Sequence, residues 1–160
     1  MSPSDSVRAV IDELSLQPHP EGGWYREWYR STGTVDSEGA PRSRVTSIYY
    51  LLQSHQLSRW HVIDADELWH FYRGGPLELL QYDPNSRHLT RDVLSSAPGA
   101  RPALAIPRGV WQAARSLGEY SLLGCSVAPG FEFTGFRFVS ALPDHRPHFD
   151  QALREWVGWL

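Results

Sequence analysis

The chain contains no lysine and a single cysteine, and no apolar run in it approaches the roughly 20 residues that cross a bilayer as a helix. With Cys125 alone no intramolecular disulfide can form, so burial must hold the fold, and a reducing, cytoplasmic setting is the expectation. Without lysine there is no amine for Schiff-base chemistry, and since all fifteen basic residues are arginines, any anion contact falls to guanidinium forks. A formal net charge of −3 lacks the basic excess that neutralises phosphates, which argues against nucleic acid as a partner. The N-terminus, MSPSDSVRAV, has no basic-then-apolar order of a secretion signal, and no membrane partner is expected. Cys125 itself lies in the apolar run YSLLGCSVAP with nothing nearby to depress its pKa, so it reads as a small buried hydrophobe.

What the chain does have is short β-forming runs. A length of 160 residues suits one domain spanning 1–160, with a core of about 21–140. Residues 4–16 read as a helix, because Val7, Val10, Ile11 and Leu14 recur at i, i+3, i+4 and i+7 behind the capping candidates Ser4 and Ser6. Pro18 and Pro20 end that pattern, Glu21-Gly22-Gly23 turns the chain, and WYREWYRS alternates as a strand. Residues 33–43 have loop composition. Between Arg44 and Val139, nine β-branched or aromatic runs are broken by turn residues such as Gly-Gly-Pro, Asp-Pro-Asn and Pro-Arg-Gly, which predicts an all-β sandwich or barrel. A second helix is expected from about residue 147, where Phe149, Leu153, Trp156, Val157 and Leu160 fall at helical spacing.

Chemistry-bearing residues concentrate in SRWHVIDADELWHFYRGG, Ser58 to Gly75. His61 and Glu67 are the leading pair there. On a regular strand Glu67, Trp69 and Phe71 share one face and His70 takes the other, so His70 is read as structural. Asp66 reads as a turn residue, while Asp64 or Asp66 is the expected partner of the second His61 nitrogen. His19, in its Pro-His-Pro turn, and His88, His145 and His148 read as solvated.

The order of PHPEGGWYREWYRS, TSIYYLL, WH…ADELWHFYRGGPLELL, IPRGVWQAA and LLGCSVAPGFEFTGF resembles the DUF985 group of the cupin superfamily over roughly residues 14–139. The resemblance implies a jelly-roll barrel with a ligand or metal site in one mouth, to which the periodicity adds the short terminal helices. On the general cupin pattern, Glu67 and Gly74 match the glutamate-to-glycine part of the first motif, and His61 falls at its first histidine. The second histidine position holds Ile63. In the second motif Pro107-Arg108-Gly109 matches the turn, and Gln112 stands where a histidine is expected. A divalent metal (Fe, Mn, Zn or Ni) would therefore be left with His61, Glu67 and Gln112, a set in which the neutral amide is a poor substitute for imidazole.

Three functions follow as expectations. The first is an enzyme that moves a proton on a small, polar, carbonyl-bearing and sugar-like substrate, an isomerase or epimerase. His61 would be its base, Glu67 a carboxyl kept protonated by desolvation, and Tyr49 or Tyr120 a further acid. Arg26, Arg59, Trp69, Phe71, Trp111 and Gln112 would contact the substrate. The second is a metal-dependent oxygenase, lyase or isomerase, and the third a non-catalytic binder of a small ligand. The resemblance also implies a homodimer.

Overall fold

Runs that alternate apolar and polar side chains can bury one face only by pairing with other strands. In the computed structural model, which describes residues 3–139, they pair into two packed antiparallel sheets. Helix α1 (Asp5–Leu14) opens the chain, with Ser4 as its N-cap and Ser15 in the left-handed conformation at its end. The strands follow as β1 (Gln17–Pro18), β2 (Trp24–Arg30), β3 (Thr34–Ser37), β4 (Ala40–Ser43) and β5 (Thr46–Gln53). Next come β6 (Leu57–Val62), β7 (Asp66–Gly74), β8 (Leu77–Asp83) and β9 (His88–Leu94). The last are β10 (Ala103–Ile106), β11 (Trp111–Ser116), β12 (Tyr120–Ala128) and the short β13 (Arg137–Phe138).

One sheet has the order β1-β2-β5-β12-β7-β10 and the other β13-β6-β11-β8-β9. Side chains from their inner faces meet between them, with Tyr50, Leu52, Trp69, Leu77, Leu79, Ile106, Leu123 and Cys125 in one continuous cluster. The helix covers part of the outer face of the first sheet, where Val7, Val10 and Leu16 pack on Leu51 and Leu122. A second outer cluster joins Trp60, Leu80, Tyr82, Trp111 and Val139 on the other sheet. The all-β jelly-roll expectation and the N-terminal helix are both seen; the C-terminal helix expected from about residue 147 lies outside the described residues.

One expectation is corrected. Residues read as a surface loop form the hairpin β3–β4, in register from Thr34↔Ser43 to Ser37↔Ala40. Glu38 and Gly39 take φ of 55° and 86°, the left-handed pair a two-residue hairpin turn requires, and Asp36 Oδ1 accepts the Gly39 N–H at 3.0 Å. The hairpin is mostly exposed, so it carries no apolar alternation to betray it.

Candidate functional site

Strand parity decides which side chains reach the interior at one end of the sandwich. In β5, Thr46, Ile48, Tyr50 and Leu52 share a face, and in β12 Leu123, Cys125 and Val127 do. In β7, Glu67, Trp69 and Phe71 point inward and His70 to the other face, as alternation requires. A cavity of about 340 Å³ opens between the sheets, large enough for a small organic molecule. His61 and Ile63 line it from β6 and the residues after it, Glu67 from β7, Cys125 and Val127 from β12, and Tyr25 from β2.

A second arm of the site comes from the turn before β2. Gly22 and Gly23 have φ of 110° and 80°, and a Cβ on Gly22 would lie 2.3 Å from the Leu57 carbonyl oxygen, so only glycine brings the turn this close to β6. That path carries Glu21 inside, where it is 6 % exposed. The Tyr50 hydroxyl donates to the Gly22 carbonyl at 2.8 Å and pins the turn from below. His19, expected to be solvated, is instead enclosed, with a side chain 6 % exposed and its ring 4.5 Å from that of Tyr25. Its Nδ1 accepts the Glu21 N–H at 3.2 Å.

The imidazole of His61 is held from one side. Its Nδ1 lies 2.7 Å from the Arg59 carbonyl oxygen and 3.2 Å from Glu21 Oε2, two acceptors that place the ring proton on Nδ1 and leave Nε2 unprotonated. Asp64 and Asp66, the expected orienting groups, do other work. Asp64 is gripped at 3.0 and 2.8 Å by the two terminal nitrogens of Arg42, and Asp66 Oδ1 accepts the Arg108 N–H at 2.8 Å. Phe136 stacks on His61 with centroids 5.0 Å apart, and Phe131 and Phe133 complete an aromatic wall.

Glu67 is fixed by a relay of hydrogen bonds. The Trp69 indole N–H donates to Gln112 Oε1 at 2.9 Å, which turns the amide so that Gln112 Nε2 donates to Glu67 Oε2 at 2.5 Å. Register makes this reachable, since Gln112 lies directly opposite His61 across β11 and β6. Burial raises the Glu67 pKa to about 7, against the opposing pull of His61. Burial likewise raises Glu21 and lowers both His19 and His61, so the two imidazoles are neutral at pH 7. The Cys125 thiol beside Glu67 is pushed well up by burial and stays protonated.

Several expected site residues lie elsewhere. Tyr49 stacks on Trp28 on the outer face of the first sheet, centroids 5.8 Å apart, and Tyr120 packs with the helix cluster; neither can serve as an acid in the cavity. Both lose their place to parity, because their neighbours Tyr50 and Ser121 point the other way. Arg26 borders the cavity, but its guanidinium carbon is 5.6 Å from the Tyr49 ring centroid. Arg59 is exposed and sits over Phe138 at 4.7 Å. Trp69 and Phe71 belong to the packed core, and Trp111 lies on the face of β11 opposite Gln112. Gln112 is fully buried and reaches the cavity only through Glu67. Glu21, His19, Tyr25 and the three phenylalanines were missed. FEFTGF was a visible signal for the aromatic wall, whereas nothing in the Glu-Gly-Gly turn disclosed that its carboxylate points inward.

These residues do not fit the expected metal set. Ile63 lines the cavity where an imidazole would be needed, and both functional atoms of Gln112 are engaged by Trp69 and Glu67. Among the described residues, no three His, Cys, Asp or Glu side chains are arranged to hold a metal ion. Among the same residues, no helix is long and apolar enough to cross a membrane.

Solved structures similar to this one include a protein from Shewanella oneidensis, 33 % identical, with a TM-score of 0.80 and 96 % of each chain covered. A hypothetical protein from Leishmania major is 29 % identical, with a TM-score of 0.77 over 90 % of this chain and 96 % of that one. A dTDP sugar isomerase from Desulfovibrio desulfuricans, 15 % identical with a TM-score of 0.54 over 78 % of this chain and 87 % of its own, shares the fold. No curated protein matches. The family model described as Cupin superfamily (DUF985) matches residues 8–139, and the chain belongs to that family.

Proposed function

We propose that the protein is an isomerase or epimerase that moves a proton on a small, polar, carbonyl-bearing molecule, sugar-like in size. The observation that carries this reading is the meeting, in one aromatic-walled cavity, of a neutral imidazole and a buried carboxyl whose pKa is about 7. The His61 ring, protonated on Nδ1, offers Nε2 as a base. Glu67, half protonated near neutrality, offers a proton to a carbonyl oxygen. The C–H proton next to the carbonyl passes to His61 Nε2 while the Glu67 proton passes to the carbonyl oxygen, giving a neutral enol. For an α-hydroxy carbonyl the enol is an enediol: His61 returns its proton to the adjacent, former carbonyl carbon while Glu67 takes the proton of the other hydroxyl, which restores both groups and completes the isomerisation. Gln112 holds the carboxylate in place between the two steps, and the phenylalanine wall keeps water from the enol.

The test is a screen of small aldehydes, ketoses and keto acids with the protein in D₂O, read by mass spectrometry. A substrate gains one deuterium at carbon; no exchange above background across the carbonyl classes counts against the reading. We further propose pairing as a homodimer through the uncovered outer face of the first sheet. Trp28, Tyr29, Leu68 and Tyr72 are 44–48 % exposed there. Light scattering at micromolar concentration is expected to give twice the chain mass, and a monomer would refute the pairing.

A further inference from the structure

The walls of the cavity carry more acid than base, with Glu21, Glu27, Glu67 and Glu132 set against Arg26 and Arg30. Of the two arginines that border it, Arg26 is turned onto the Tyr49 ring. Arg30 is held by three carboxylate contacts: Nε and a terminal nitrogen to Glu27 at 2.8 and 3.0 Å, and its other terminal nitrogen to Glu132 at 2.9 Å. A fourth bond goes to the Phe131 carbonyl at 3.0 Å. Glu27 and Glu132 are therefore at the rim and share one guanidinium, which offsets the charge of only one of them, while Glu21 and Glu67 line the interior. The two enclosed imidazoles are neutral and supply no counter-charge for an anion. The remaining surface is aromatic and aliphatic: Tyr25, Phe131, Phe133, Phe136, Ile48 and Ile63. Ring faces attract cations and apolar groups and repel negative charge.

From this arrangement we infer that the substrate is uncharged or ammonium-bearing and that the cavity discriminates against carboxylates and phosphates. The inference rests on the proton-transfer reading of the same cavity and narrows its substrate class. A ligand carrying phosphate would meet carboxyls on the floor and two carboxylates at the rim, where the Arg30 guanidinium is already bonded and that of Arg26, whose Nε has no hydrogen-bond partner, lies by Tyr49 on the outer face of the sheet. An ammonium would meet the same carboxyls favourably beside aromatic faces.

The experiment compares three probes of one shape on the full chain: benzylamine as its ammonium ion, benzyl alcohol and benzoate. Binding is followed by ligand-observed NMR. Benzoate is expected to bind at least about tenfold more weakly than the other two, a difference readable from dissociation constants in the millimolar range. The double variant Glu27→Gln/Glu132→Gln, which frees Arg30, is expected to narrow that gap by about tenfold through improved benzoate binding. Benzoate binding as tightly as benzylamine to the unaltered protein would overturn the inference, as would binding of none of the three up to about 10 mM. The probes have no acidic C–H beside a carbonyl, so the charge order can fail while deuterium exchange persists, and exchange can fail while the charge order holds.

Discussion

Gln112 Nε2 lies 2.5 Å from Glu67 Oε2, and its own oxygen accepts from Trp69, so a residue at a position typical of a metal-binding imidazole instead anchors a carboxyl. The amide donates to the carboxylate and thereby favours its ionised form, which partly offsets the burial that raises its pKa. Replacing Gln112 by Leu removes that donor and leaves the indole N–H unpaired. The Glu67 pKa is expected to rise above 7, and stability to fall by about 1–3 kcal/mol. Carbon-13 NMR of labelled glutamate reads the first and denaturant unfolding the second; an unmoved Glu67 titration would contradict the assigned hydrogen bond.

Stability should fall as pH rises from about 4.5 through 7, through Glu67 and, in the same sense, through the buried Glu21. The folded pKa of Glu67, about 7, is above the ordinary 4.5, so the protonated carboxyl favours the fold at low pH, and this contribution is lost as pH rises through 7. The buried histidines act in the opposite sense. Their pKa values are depressed, so their contribution is present above about 6.5 and is lost on acidification through their lower folded values. Glu67→Gln removes the first effect and keeps the second. Relative to the unaltered protein it is expected to gain on the order of 3 kcal/mol between pH 4.5 and 8. Urea unfolding curves that run parallel for the two proteins across that range would show the carboxyl is not raised.

The Glu21 arm depends on its glycines. Gly22→Ala places a Cβ in contact with the Leu57 carbonyl at a backbone angle unsuited to L side chains. A destabilisation of about 2 kcal/mol or more is expected. Because the same turn positions Glu21 against His61, the His61 ring resonances should shift in the folded variant. Nitrogen NMR of the imidazole checks this, and unchanged resonances would separate the turn from the site.

The fold was legible because β-branched and aromatic runs separated by Gly, Pro and Asp turns leave few alternatives to a sandwich, and the helix was marked by Val7, Val10 and Leu14. The inward placement of His61 and Glu67 and the outward one of His70 could be read because parity along a strand is rigid. Parity along β5 and β12 could not be read, since Tyr49 and Tyr50 in the one, or Leu122 and Leu123 in the other, are aromatic or apolar on both faces. One face packs under the helix and the other under the second sheet. Glu21 and His19 escaped notice for a different reason. Their inward direction is a property of a turn seated against Leu57, a contact between residues 35 apart that no local pattern encodes.

The most direct test of the central claim is the rate of deuterium incorporation at carbon for a substrate found in the D₂O screen, measured for the unaltered protein and for folded His61→Ala and Glu67→Gln. If these two groups are the base and the acid, each variant loses about 10²–10⁴-fold in exchange rate. Exchange that persists in both variants at the rate of the unaltered protein would show that the proton moves elsewhere.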